Sequence, residues 1–141
     1  VGGDVALAKH VLEDWPATLY ITPLEAGLDF PSDHDRMLSD YSADTLHPMY
    51  QIYKNYDEWA KGDVGQYFWD PLCVIHSVEG DASFAVSARG KIKIEDDGHS
   101  VFSTDASGNV HIIGVGDAQK ADISGKLMGV AGFRPSRSQK Q

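Results

Sequence analysis

Asp4-Val-Ala-Leu-Ala-Lys-His-Val-Leu-Glu-Asp-Trp-Pro-Ala-Thr-Leu-Tyr-Ile-Thr-Pro-Leu24 is the stretch whose reading decides the fold. Asp4 is placed to cap a helix, its carboxylate accepting from an N–H that the first turn leaves unpaired. Val5, Leu7, Ala8, Val11 and Leu12 then recur close to a 3.6-residue period, to about Glu13. Trp15-Pro16 stops the helix, because proline cannot continue it and restricts the residue before it. Thr18–Leu24 is β-branched and aromatic and reads as a strand. Helix, short break and apolar strand is the rhythm of an α/β sheet.

The segments beyond it are consistent with that class. Residues 29–35 form a polar loop in which Ser32 or Asp33 caps a helix running to about Asp40. A second helix is predicted over Thr45–Lys61, with Pro48 in its first turn. Its apolar stripe is Met49, Ile52, Tyr53, Tyr56 and Trp59, and Gly62–Gly65 follows as a loop. Asp70-Pro71 reads as N-cap and first residue of a helix through Val78. After Gly80 the period changes to two, broken by Gly90, Asp96-Asp97-Gly98 and Ser107-Gly108-Asn109. Short strands are expected at about 83–89, 91–95, 100–103 and 109–115. A last helix, capped by Asp117, spans Asp117–Val130. Residues 1–132 thus read as one domain and 133–141 as a frayed tail.

Composition narrows the function classes. The 141 residues carry 12 Lys and Arg against 21 Asp and Glu, a net charge of −9. Binding to nucleic acid or to anionic lipid needs the opposite balance, so neither is expected as a partner. No apolar stretch reaches the ~18–20 residues of a membrane span. The single cysteine, Cys73, excludes an intrachain disulfide and a Cys-rich zinc module. Within Pro-Leu-Cys-Val-Ile it reads as a small buried core residue. Val1 is no natural start, and the chain reads as an excised piece of a longer protein. Its compartment stays open, with the cytoplasm favoured.

Three motifs bear on chemistry. Asp29-Phe-Pro-Ser-Asp33-His34-Asp35 gathers three carboxylates and a histidine, but lacks the spaced ligand ladder and bidentate Glu of an EF-hand, and reads as a capping, solvated loop. His111-Ile-Ile-Gly-Val-Gly lacks the Lys of a phosphate loop and reads as a buried strand ending in a turn. Tyr67-Phe-Trp69-Asp70-Pro71-Leu-Cys73 stands apart, with aromatic residues directly before an Asp at a helix start. One reading is a cap with core aromatics. The other is a carboxylate aimed into a ligand crevice beside an aromatic platform, since helix N-termini in α/β folds border that crevice.

The order of these segments resembles the C-terminal half of the nucleoside hydrolases, the inosine–uridine-preferring nucleoside N-ribohydrolase family. Gly3-Asp4-Val-Ala-Leu-Ala-Lys-His-Val-Leu resembles the family's Asp-Pro-Glu-Ala-Ala helix, with Val in place of Pro. Leu19-Tyr-Ile-Thr-Pro-Leu-Glu-Ala resembles the strand and exit turn that follow. The aromatic helix Met49–Trp59 precedes Trp69-Asp70-Pro71, which is similar to the family's His-Asp-Pro. Phe84–Gly90 and Asn109–Val115 resemble its last strands.

The resemblance implies the C-terminal part of a Rossmann-like open sheet with a small antiparallel β element. It implies a parent that cleaves the N-glycosidic bond of ribonucleosides with water, through an oxocarbenium-like state. In the family a calcium ion, held by an N-terminal aspartate cluster and by the Asp of His-Asp-Pro, binds the ribose hydroxyls and the attacking water. Asp70 is then the carried-over calcium ligand, Trp69 a platform for the base, and Tyr53 and Tyr56 cleft-lining residues, although both also fit the buried stripe of their helix. The aspartate cluster and the Glu-Phe-Asn ribose stretch have no counterpart here, and Trp69 replaces the family's His. No catalytic residue is therefore assigned within this chain, which alone is expected to be inactive. Its partners would be a ribonucleoside and either the missing N-terminal half or a second copy, because a sheet cut in half exposes an edge and an apolar face. A binding module without turnover and a purely structural domain are the alternatives.

Overall fold

The computed structural model describes residues 3–60 and 67–131; side chains are described for all of these except 57–60 and 131. Gly62–Gly65, the Trp59 side chain and the 133–141 tail of the sequence reading lie outside what is described. Helix α1 spans Val5–Glu13, and the Asp4 carboxylate accepts from the Leu7 N–H, as the sequence reading expected. Strand β1 is Leu19–Ile21. It ends earlier than the predicted strand because Pro23 opens a short helix, α2, over Leu24–Leu28. Asp33 caps α3, His34–Asp40, by accepting from the Arg36 N–H. Helix α4 begins at Pro48 and ends at Ala60. Its predicted first residues, from Thr45, form a turn instead, since the residue before a proline avoids helical angles.

Helix α5 covers Trp69–Glu79 and corrects the sequence reading. Phe68 is at the cap position, so Asp70 and Pro71 are the second and third helical residues. Proline is tolerated there because the first N–H groups of a helix have no partner inside it. What fixes the start is a bridge between Pro31 and Tyr67, with the Phe68 N–H donating to the Phe30 carbonyl at 2.9 Å.

A 3₁₀ turn, Asp81–Ser83, replaces the start of the expected 83–89 strand and leaves β2 as Ala85–Val86. Strands β3 (Gly90–Ile94), β4 (Ser100–Thr104) and β5 (Val110–Gly114) follow near the expected bounds. Helix α6, Asp117–Ala131, closes the fold. Asp117 is its first residue rather than its cap, and the Gly116 carbonyl accepts the first helical bonds.

The five-stranded sheet is mixed, in the order β1-β5-β3-β4, with β2 also on β5. Only β1 and β5 are parallel; the other pairs are antiparallel. Side chains alternate across the sheet. Leu19, Ile21, Val110, Ile112 and the buried Ile92 and Ile94 pack with Val5 and Leu12 of α1. On the opposite face Tyr20 meets His76 of α5, and Ile113 joins Leu72 of α5 and Ile123 and Leu127 of α6. The architecture is therefore three layers: α1, the sheet, then α5 and α6. The second core extends outward through Met37 of α3 and Tyr41, the residue at that helix's C-terminal cap, to Tyr53 of α4.

Candidate functional site

Helix α5 is positioned by three contacts with β1 and the segment that leaves it. The Tyr20 and His76 rings are 4.7 Å apart, Thr22 Oγ1 lies 2.8 Å from Cys73 Sγ, and the Trp69 indole N–H donates to the Leu24 carbonyl at 3.2 Å. The residue numbers rise from Tyr20 in β1 to Leu24 beyond its end as they fall along α5 from His76 to Trp69, so the helix runs opposite to the strand. Its N-terminus therefore sits at the carboxyl end of β1, the edge where open α/β sheets place their ligands. Cys73, expected in the core, is half-buried against that threonine.

At this N-terminus Trp69 is half-buried and Asp70 exposed. Gly27 of α2 makes room for the indole: a Cβ there would lie 2.6 Å from Trp69 Cγ. The Tyr67 ring is 5.0 Å from that of Trp69. The Asp70 carboxylate makes no hydrogen bond or ion pair among the described residues.

Tyr53 is 7% exposed and belongs to the core cluster, as the stripe reading held. Its backbone carbonyl is held 3.0 Å from His34 Nε2, which ties α4 to α3. Tyr53 and the half-buried Tyr56 nonetheless border the same open groove as Trp69 and Asp70. All four residues singled out from the sequence thus come together around one groove of about 1250 Å³.

The groove continues away from that polar end between α4, α5 and α6. Ile52, Val74, Val78 and Val130 line it while 58–82% exposed. Its far end carries the Glu79–Lys126 pair at 2.7 Å. The Lys126 ammonium holds the Glu79 carboxyl below its usual range, with the Ser83 hydroxyl adding to the effect. Asp122 and then Glu79 hold the Lys126 amine above its own. The sequence reading missed this trough. The signal was there: Pro71, Val74, Ile75 and Val78 form an apolar stripe on a helix whose Leu72 and His76 already face the core. It also missed Ser32, whose hydroxyl oxygen borders the groove buried and without a partner among the described residues.

The other acidic and histidine motifs disperse. Asp29 pairs with Lys120, Asp33 caps α3, and His34 turns to Tyr53. Asp97 accepts from the His99 N–H within the hairpin turn at Gly98. Among the described residues no three His, Cys, Asp or Glu side chains converge to hold a metal ion. Comparison of the chain with protein-family models, with curated proteins and with solved structures finds no match.

Proposed function

We propose that this chain is the C-terminal part of a nucleoside-hydrolase-like domain, its fold a portion of a Rossmann-like open sheet. Its groove end at Trp69 and Asp70 would form one wall of a ribonucleoside site. The observation that carries the reading is the Asp70 carboxylate, without a partner among the described residues, in the first turn of α5 at the carboxyl end of β1, with Trp69, Tyr53 and Tyr56 on the same groove. An exposed, unpaired carboxylate suits a hard cation such as calcium. Calcium takes six to eight oxygen ligands, and Asp70 offers one side chain, so this chain supplies part of such a shell. No step of bond cleavage is assigned to its residues. Trp69, Tyr53 and Tyr56 would bind and orient the base, an aromatic face stacking on a flat heterocycle.

A structural reading has its own support. The Trp69 indole is tied to Leu24 and seated on Gly27, which makes it a pin between α2 and α5. Titration of tryptophan emission with inosine separates the two. Trp15 and Trp59 contribute background, so Trp69→Phe is the control. Quenching that saturates in the native chain and is lost in Trp69→Phe supports the nucleoside wall. Emission indifferent to inosine leaves Trp69 as a pin and removes the reading.

A further inference from the structure

Three helices turn apolar stripes toward the same trough, and nothing among the described residues fills it. From α4 come Ile52, Tyr53 and Tyr56, from α5 Pro71, Val74, Ile75 and Val78, and from α6 Leu127 and Val130. The α5 set follows the i, i+3, i+4, i+7 spacing of one helical face, the α4 set does so together with Met49, and the two α6 residues are three apart. Elements of this kind bury such a face against another element. A trough walled by three helices, open along its length, has the shape that receives a fourth helix. Its volume of about 1250 Å³ exceeds the common range for small-molecule pockets.

Charge indicates the kind of helix. One end of the trough presents the Asp70 carboxylate, without a partner among the described residues, beside the Tyr67 and Trp69 rings. A carboxylate with aromatic faces favours a basic side chain, through the ion pair and through cation–π attraction. The far end is no competing anchor for an acidic residue, because Lys126 is already shared by Glu79 and Asp122 at 2.7 Å each. The net charge of −9 steers basic partners inward and repels a second copy of the chain.

We infer that the trough between α4, α5 and α6 docks an amphipathic helix of another polypeptide, its apolar face along Val74, Val78 and Val130 and a basic residue at Asp70. The inference goes beyond the nucleoside reading and shares with it only the Asp70 end of the groove.

The test is anisotropy of a labelled synthetic helix of about four turns, with leucines at i, i+3, i+4 and i+7 and one lysine at the end meeting Asp70. A matching peptide carries glutamate in place of that lysine. The native chain is expected to bind the lysine peptide with a micromolar Kd and the glutamate peptide about fivefold more weakly, a difference of about 1 kcal/mol. Asp70→Asn should erase that preference. Val78→Asp and Val130→Asp should each weaken both peptides at least about tenfold. Both valines are largely exposed, so circular dichroism and Tm should stay unchanged and show that the fold is intact. Absence of binding overturns the inference, as does binding indifferent to Val78→Asp. A concentration-dependent dimer abolished by Val78→Asp assigns the trough to a second copy instead. Binding that appears only once residues 132–141 are removed assigns it to the chain's own end. Inosine quenching is scored separately, so either reading can fail without the other.

Discussion

Gly27 and Trp69 lie far apart in the chain and meet as a ring over a missing side chain. An added methyl at position 27 would overlap the indole, and the indole cannot swing away without breaking its bond to the Leu24 carbonyl. Overpacking of this kind costs about 1–3 kcal/mol. Gly27→Ala is therefore expected to lower the Tm and to shift the tryptophan emission. An unchanged Tm would show that the ring is not held there, and the pin reading would fall. Asp70 behaves differently. It is exposed and has no partner among the described residues, so Asp70→Asn should leave the Tm unchanged while altering any ligand affinity of the groove. The Trp69-Asp70 pair was legible as an aromatic–acid step at a helix start, because that signal is local. Its partner Gly27 was not, because a glycine chosen for a long-range approach looks like any other glycine in the sequence.

At the scale of elements, α1 is joined to the sheet by its last residue. The Ile94 N–H at the end of β3 donates to Glu13 Oε1 at 2.8 Å. Ile94 is fully buried, yet Glu13 is exposed, so water can reach the amide once the carboxylate is gone. Glu13→Ala should cost about 1 kcal/mol, the low end for a lost partner. Glu13→Gln keeps an acceptor oxygen and should recover most of that loss in denaturant unfolding.

The hairpin of β3 and β4 carries a pH-sensitive tie. The Lys91 ammonium, with Ser107 adding hydrogen bonds, holds the Asp105 carboxyl down at about 2, from an ordinary 3.8. A folded value below the unfolded one stabilises the fold above 3.8, and that contribution is lost as the pH falls toward 2. The native chain should exceed Asp105→Asn in Tm at neutral pH, and the two should converge across this window. The effect is small, because the pair is exposed to solvent. Parallel melting curves that never converge would show that Asp105 acts by packing alone.

Most elements were legible because caps, prolines and turn glycines act within a few residues. Helix α2 and the early start of α5 were not, because the Pro31–Tyr67 bridge and the Trp69 packing that set them are tertiary. The single parallel pair, β1 with β5, joins segments 91 residues apart, Leu19 with Val110, and periodicity carries no such pairing.

For the whole molecule, the distribution of exposed apolar surface matters more than its amount. Exposed aliphatic side chains scattered singly are ordinary in a folded chain. Here Ile52, Val74, Val78 and Val130 share one trough, whereas Leu7 and Val11 stand on the far layer, on α1. A contiguous apolar trough binds the dye ANS, and scattered residues do so weakly. The net charge of −9 works against the anionic dye, so any signal reflects apolar surface rather than attraction. The native chain should enhance ANS emission while retaining a cooperative melt, which distinguishes a groove from a molten core. The paired change Val78→Asp and Val130→Asp should remove most of that enhancement at unchanged helicity. An undiminished signal would move the sticky surface to α1, and the docking helix would then have to be sought on that layer.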